Sequence, residues 1–406
     1  MKQFKDFDET IEDLVNSLSG VTKPVENVFL TDTLDRVLAI DIVAKENSPL
    51  HVTSSMDGYA IRFADQDKGV LRLSSRVPAG TDISEKVEEG SCIKTFTGSL
   101  MSDGSDTLIP IENVEVKGDE VKIITPVALG FAVRPVGENY RDGEVLIEKG
   151  VTIGFAQIGL MAELGFVQVP VFGQPRVAVI ATGSEILDLG ETRTSLAQIR
   201  SSNHVTLEAI MKSNGADVTR VGIVQDDKEL IKTKIVDALK DNDIVITTGG
   251  VSVGDYDFVK DIIKGMNPEY VVDRASVKPG RHIRVVKLDS KYIVALPGFP
   301  YSAAVMAYIY ILPLIRAMRG LSYEAEYVDA IMDEDYAKRS PFTEFTACNL
   351  FLKGGQFYVN LKGKKKGSSA ILTNMLDGSA LLRVEQKTEF IKKGEKVRVL
   401  PMGKLL

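Results

Sequence analysis

Between residues 176 and 320 the chain repeats one unit: an apolar run, a turn at the exit of that run, then a helical segment. RVAVIATGSE, ADVTRVGIVQDD, NDIVITTGGVSVGD and YIVALPGFPYSA are the runs with their exits. SNHVTLEAIMKSNG, KELIKTKIVDALKDN, DFVKDIIKG and SAAVMAYIYILPLIRAMRG are the helical segments. Apolar strands that alternate with helices are covered on both faces and joined by crossovers. The pattern predicts a parallel, doubly wound sheet, in which ligands bind beyond the carboxyl ends of the strands.

The flanking sequence has a different rhythm. Phe4, Phe7, Ile11, Leu14, Val15 and Leu18 recur at helical spacing and Gly20 ends the pattern, so an amphipathic helix opens the chain. From about 52 to 133, β-branched runs (VLRLSS, CIKTFTG, DTLIPIENVEV, EVKIITPV) are separated by Gly, Asp and Pro, which predicts an all-β insertion. A return crossing is expected near 134–150, then a helix, FAQIGLMAELG. After Gly320, FTACNLFLKGGQFYVNL, SAILTNML, GSALLRVEQ and EKVRVLPM read as strands of a small C-terminal β domain.

Composition narrows the function. Apolar residues are 44% and charged residues 26%, ordinary values for a folded chain. Lys plus Arg number 49 against 56 Asp plus Glu, a net charge of −7, which disfavours a generic electrostatic grip on nucleic acid. An anionic ligand must be held by local features. The apolar stretch 305–315 is interrupted by Pro313 and is shorter than the roughly 20 residues of a spanning helix, so it is expected to be a buried helix and no membrane partner is expected. MKQFKDFDETIEDL lacks the apolar core of a secretory signal, and a cytoplasmic address is expected. Cys92 and Cys348 are too few for a disulfide framework, and His51, His204 and His282 have no metal-ligand spacing. A working metal would be a hard cation on carboxylates.

Three strand exits carry the chemistry. TTGGVSVGD, 247–255, contains Gly249, Gly250, Ser252 and Gly254 between a buried strand and a helix. Glycine lets backbone amides approach an anion, and a helix N-terminus adds partial positive charge. The loop fits neither the Walker nor the GxGxxG pattern, and a purely conformational turn is the alternative. ATGSE, 181–185, with Gly183 and Ser184, and ALPGFPYSA, 295–303, with Pro297, Gly298 and Pro300, would project from the same edge. Asp226, Asp227, Asp255, Asp257 and Glu185 lie near these exits. Carboxylates beside an anion repel it unless a divalent cation bridges them, which suggests Mg²⁺, although each acid could instead cap a helix. VKPGRHIR, 277–284, sets Lys278 and Arg281 around a turn that could receive an oxyanion or simply be solvated. SSMDGYAI, 54–61, is compatible with a simple turn. KGKKKG, 362–367, reads as a solvated hairpin tip, an anion-contacting loop being the lesser reading.

MDGYA, the TG of KTFTGS, GEN in VGENYRDG, TGSE, TTGGVSVGDYD, KPG and LPGFP occur in one fixed order. Together they closely resemble the molybdopterin molybdenumtransferase family, and the chain is similar also to the C-terminal domain of gephyrin. The resemblance implies a four-domain subunit: an N-terminal α/β domain of 1–50 with 134–173, an inserted β domain at 51–133, a molybdopterin-binding α/β domain at 174–322 resembling molybdopterin adenylyltransferase, and a C-terminal β domain at 323–406. It implies a homodimer whose cleft is completed by the partner's β domain. The implied reaction loads molybdate onto adenylylated molybdopterin with Mg²⁺ and releases AMP, with the adenylyltransferase and molybdoenzyme chaperones as candidate partners.

Carried over by motif, Asp57, Thr97, Glu185, Asp226 and Asp257 match positions implicated in activity, with Asp226 and Asp257 as metal ligands. Gly183, Ser184, Gly249, Gly250, Ser252, Gly254, Lys278, Arg281, Pro297, Gly298 and Pro300 would contact the pterin nucleotide or the oxyanion. Three positions depart from the family pattern: Asn139 where GED has its acid, Ser201 where DTN or DSN begins, and Phe299 in place of the amide of LPGNP. Two rival readings are a nucleotidyl transferase that makes the adenylylated pterin, and a gephyrin-like scaffold without catalysis.

Overall fold

A computed structural model describes residues 4–82, 85–250, 258–365, 368–376 and 379–403. The chain divides into two compact units, one of Met1–Ala39, Gly150–Ile158 and Val167–Leu406, the other of Ile40–Lys149 and Gly159–Phe166.

In the first unit the predicted sheet forms, with strands ordered Asp217–Val224, Arg176–Thr182, Ile244–Thr248, Lys291–Leu296, Arg284–Leu288, Glu269–Asp273. The first four are parallel. The last two are antiparallel additions at one edge, so the sheet is mixed where a purely parallel one was expected. Their sequences, EYVVD and RHIRVVKL, are short and flank a turn, and the helical rhythm that marks a crossover is missing between them. Alternate residues feed opposite faces. Val177, Val179, Ile244, Ile246 and Val294 enter one core, while Ala178, Ile180, Val245, Ile293 and Ala295 enter the other. Helices Lys228–Asp241 and Phe258–Gly265 cover the second face.

The opposite face is covered by helix Asn203–Ser213, the helical run Pro300–Met318 and the N-terminal helix Phe7–Ser17. The N-terminal helix therefore packs into the core of the central sheet. Phe7 and Leu14 are buried there, and the hydroxyl of Thr10 meets that of Tyr310 at 2.8 Å. Burial of each such Phe or Leu contributes about 1.5–3 kcal/mol.

Pro300–Met318 corrects the expectation of an interrupted stretch: it is one helical run, long and apolar enough to cross a membrane by length and composition, and mostly buried inside this unit. A π turn, Ala307–Ile311, precedes Pro313 and shifts the hydrogen-bond pattern where the proline has no N–H to donate.

The C-terminal sheet is also part of this unit. Strands Thr343–Lys353, Gln356–Asn360, Val328–Met332, Lys396–Pro401 and Ser379–Val384 follow one another, and the first pairs again with the last, so the sheet closes on itself. Strand Val277–Lys278 adds to Thr343–Lys353 in parallel. SAILTNML does not form the expected strand. Its core is a single helical turn, Leu372–Met375, because the Asn374 side chain is buried and bonds both backbone groups of Lys365 at 2.8 Å.

In the second unit the β insertion is a six-stranded sheet ordered Thr107–Pro110, Gly58–Ile61, Ser91–Thr95, Val70–Val77, Glu120–Ile123, Val114–Lys117. Its two ends are tied by pairing of Thr53–Ser54 with Val133–Arg134, and Ile42–Val43 pairs with Val145–Ile147.

Candidate functional site

The strand order of the central sheet reverses between Arg176–Thr182 and Ile244–Thr248, since the next strand in sequence after the first lies on its far side. Crevices open at such reversals. Three glycine-bearing exits lie side by side there: Gly183 after Arg176–Thr182, Gly249 and Gly250 after Ile244–Thr248, and Gly298 after Lys291–Leu296.

The glycines are required by shape. Gly249 has φ +93°, and a Cβ there would lie 2.8 Å from Thr182 Oγ1 and 2.9 Å from the Thr182 carbonyl oxygen. Gly250 has φ +65° and would press a Cβ to 2.9 Å from Val259. The Gly249 N–H donates to the Leu296 carbonyl at 3.2 Å, and a Cβ on Gly298 would stand 3.7 Å from the Gly249 Cα. The two exit loops are thus in contact through backbone alone.

Neighbouring exits are clasped by side chains. Asp226 Oδ2 accepts from the Ser184 N–H at 3.0 Å, and the Asp226 N–H donates to Ser184 Oγ at 3.1 Å. This reciprocal pair joins the exits of the two strands at one side of the reversal. Asp227 caps helix Lys228–Asp241 through the Leu230 N–H, so of this acidic pair one side chain is a cap and the other faces the rim. Glu185 is exposed, and its carbonyl accepts from the Ile199 N–H at 2.9 Å. Asn203 donates to the Gly298 carbonyl at 2.8 Å and its own Oδ1 is buried without a hydrogen-bond partner among the described residues. Ser201 meets His204 Nδ1 at 2.7 Å, and the other ring nitrogen meets Asp188 at 2.9 Å.

Phe299, with Pro300 at the start of helix Pro300–Met306, is 60% exposed. Pro297 is half-buried beside it. Ser252, Gly254 and Asp257 lie outside the described residues. Among the described residues no group of three or more His, Cys, Asp or Glu forms a metal cluster.

The same helix start borders a second feature. Ser302 donates its N–H to the Ser369 carbonyl, and Tyr301 bridges to the C-terminal sheet by donating to the Phe345 carbonyl at 3.1 Å and accepting from the Ala347 N–H at 2.8 Å. Burial pushes the Tyr301 phenol far above its usual range. Beside it a pocket is lined by Lys278, Arg339, Lys364 and Lys365, with Glu344 and Ser369. The lysine run read as a hairpin tip therefore contributes to a cationic cavity. The Lys364 ammonium donates to the Leu376 carbonyl at 2.8 Å and to Ser379 at 2.6 Å. Arg281 instead lies over the Phe4 ring, 5.6 Å from its centroid, so the pocket takes Lys278 and not its sequence neighbour.

Arg339, Glu344 and the pocket role of Lys364 and Lys365 went unmarked by local pattern. The lesser reading of the KGKKKG run was the one signal available, and it bears on Lys364 and Lys365 alone.

In the second unit Asp57 and Thr97 are brought together. Asp57 Oδ1 accepts from both the N–H and the hydroxyl of Thr97, each at 2.8 Å. The Thr97 N–H first, and its hydroxyl second, hold the Asp57 carboxyl below the usual carboxylate range. Asn139 donates its N–H to the Ser48 carbonyl at 2.8 Å.

Three family descriptions match in order along the chain: MoeA N-terminal region (domain I and II) over 5–165, probable molybdopterin binding domain over 178–317, and MoeA C-terminal region (domain IV) over 329–402. A molybdopterin molybdenumtransferase of Staphylococcus aureus is 31% identical over 370 residues, which is 89% of this chain and 88% of that one. The Haemophilus influenzae protein of that name is 27% identical over 391 residues, covering 94% and 95%. Among solved structures, a molybdopterin biosynthesis MoeA protein from Pyrococcus horikoshii superposes with TM-score 0.80 at 26% identity, covering 98% of this chain and all of that one. With three family regions matched in order, a relative 31% identical over most of both chains and a superposition over nearly the whole length, the chain belongs to the molybdopterin molybdenumtransferase family, transferases of molybdenum cofactor biosynthesis.

Proposed function

We propose that this chain transfers molybdate onto the dithiolene of adenylylated molybdopterin and releases AMP. The observation that carries the reading is the alignment of three glycine-bearing exits along one edge of one sheet, at the reversal of strand order. The N–H groups of Gly183, Ser184 and Gly249 are committed to Val224, Asp226 and Leu296, so the rim serves a phosphoanhydride by letting it approach the backbone closely, without the desolvation that a cluster of lysines would demand. Gly183, Ser184, Gly249, Gly250, Pro297, Gly298 and Pro300 form the nucleotide-facing wall in this reading, and Ser252 and Gly254 are further contacts to the same ligand. Glu185 contacts the nucleotide or the pterin.

The cationic pocket of Lys278, Arg339, Lys364 and Lys365 receives the oxyanion. Opposed cations are what a tetrahedral dianion needs in a protein of net charge −7. The pocket adjoins the rim through the first turn of helix Pro300–Met306, so the two anions meet at neighbouring sites.

Asp226 fits a hard divalent cation. One carboxylate oxygen is committed to Ser184, and the other has no hydrogen-bond partner among the described residues. Mg²⁺ takes one or two protein carboxylates and fills its remaining positions with water and phosphate oxygens. Asp226, with Asp257, would hold it, and it would supply neutralisation of charge on the phosphates. Cleavage of a phosphoanhydride is governed by positioning and charge, and no nucleophilic side chain is called for.

The four domains are 1–50 with 134–173, 51–133, 174–322 and 323–406. The working form is a cytoplasmic homodimer in which the partner subunit's Asp57 and the partner subunit's Thr97 complete the cleft. The adenylyltransferase hands over its product, and molybdoenzyme chaperones collect the cofactor. The test is release of AMP from adenylylated molybdopterin on addition of molybdate and Mg²⁺. AMP release that needs molybdate and consumes no ATP supports the reading. Consumption of ATP with unmodified molybdopterin, or no turnover at all, contradicts it.

A further inference from the structure

We infer that Glu344 takes up a proton when a dianion enters the cationic pocket, and then donates a hydrogen bond to that anion. The inference rests on the reading of the pocket as an oxyanion site.

Glu344 is 6% exposed and lines the pocket. It stands on strand Thr343–Lys353 directly opposite Lys278, its register partner across the parallel pair. Its two oxygens are treated differently. Oε1 accepts from the Tyr336 hydroxyl at 2.6 Å and from the Thr346 hydroxyl at 2.8 Å. Oε2 is buried and has no hydrogen-bond partner among the described residues. A carboxylate present only to brace the fold would have both oxygens satisfied, because an orphaned buried acceptor is destabilising.

The charged groups around it are cations. Lys278, Arg339, Lys364 and Lys365 line the same pocket. Lys338 feels the Glu344 charge, although its ammonium is bonded to the carbonyls of Glu385 and Gln386. Tyr336 and Tyr301 face the carboxyl as phenols that burial keeps protonated. Among the described residues that line the pocket Glu344 is the one carboxyl group, and none is a histidine.

An entering dianion competes for the same cations and repels Glu344 across a poorly screened gap, which raises the affinity of the carboxyl for a proton. Protonation removes the repulsion and gives the carboxyl, whose Oε2 accepts no hydrogen bond among the described residues, a proton to donate. Binding then consumes one proton from solvent. Oxyanion affinity falls with rising pH between the proton affinities of the empty and the loaded pocket, by up to about tenfold per unit.

The experiment is titration of the full-length protein with molybdate and with sulfate across the neutral range. Both are dianions there, so any proton taken up goes to the protein. The expected result is a dissociation constant that rises with pH for both anions. Calorimetry in two cationic buffers of different ionisation enthalpy should report an uptake of about one proton per anion. Glu344→Gln keeps a neutral donor in place, and should bind both anions with a flat pH profile and no uptake.

A flat profile without uptake in the unsubstituted protein overturns the inference, and that measurement stands even if the Gln variant fails to fold. So does a Gln variant that keeps the slope and the uptake. Failure of the underlying reading looks different: neither anion binds, or Lys278→Ala leaves binding unchanged, and the inference falls with it.

Discussion

The glycine rim and the cationic pocket are adjoining parts of one unit, but they are built on opposite principles. The rim is backbone. Its geometry follows from strand register and from positive φ at Gly249 and Gly250, and its residues come from motifs a few positions long. The pocket is side chain. Lys278, Arg339, Glu344 and Lys364 come from separate segments that converge where strand Val277–Lys278 joins the C-terminal sheet. A backbone site tolerates change everywhere except at its glycines, whereas a side-chain site loses function by degrees as charges are removed.

The largest expected effect tests the first half of that contrast. Gly249→Ala places a methyl group against the Thr182 carbonyl at a φ that side chains avoid. The strain costs about 1–3 kcal/mol, and AMP release should fall by about 10- to 100-fold or more as the loop moves. Gly190, at φ +83° with no atom within 4 Å of its would-be Cβ, is the comparison. Gly190→Ala carries conformational strain alone and should leave turnover near normal. Equal losses in both variants would show that close approach of the exits is not what matters.

Next in size, Lys278→Ala removes one charge-assisted contact in the pocket. Molybdate affinity should drop by about 10- to 100-fold, since hydrogen bonds to charged groups contribute about 1.5–3 kcal/mol. Nucleotide binding at the rim should be unchanged. Parallel loss of both affinities in equilibrium titrations would merge the two regions into one site.

Asp226→Asn sharpens the metal assignment. The amide oxygen can still accept from the Ser184 N–H, so thermal stability should change by no more than about 0.5 kcal/mol. The Mg²⁺ concentration that gives half-maximal AMP release should rise on the order of tenfold. An unchanged Mg²⁺ requirement would remove Asp226 from the metal site.

The smallest effect lies in the second unit. Thr97→Val deletes the hydroxyl bond to Asp57 and leaves the N–H bond, so the Asp57 carboxyl should move part of the way back up toward the usual range. Because its folded-state proton affinity is depressed, its contribution to stability is present above the unfolded pKa and is lost as pH falls through the folded one. The variant should be slightly less stable at neutral pH, with the difference vanishing in acid. Titration of the Asp57 carboxyl carbon by NMR checks the direction.

What could be read from sequence follows the same division. The parallel strands and their exits were legible because apolar runs, glycines and helices alternate locally. The antiparallel strands Arg284–Leu288 and Glu269–Asp273 were not, since VKPGRHIR looks like a charged turn and its apolar continuation carries no helical signal. SAILTNML looked like a strand because it is a short apolar-rich run, and the buried Asn374 decides otherwise through two bonds to Lys365. Lys278 and Arg281 do not share the pocket because the strand ends at Lys278 and the Pro279–Gly280 turn carries Arg281 away from it. Lys278 faces the cavity, whereas Arg281, beyond the turn, stacks on Phe4. Glu344 had no local mark at all, being distinguished by the surroundings of one carboxylate oxygen.

The most direct measurement is a crystal structure of the protein soaked with adenylylated molybdopterin. The account predicts phosphate oxygens seated against the exit loops at 183–185 and 249–250, with the dithiolene end directed toward Lys278. A nucleotide seated elsewhere, with those loops facing only solvent, would contradict it.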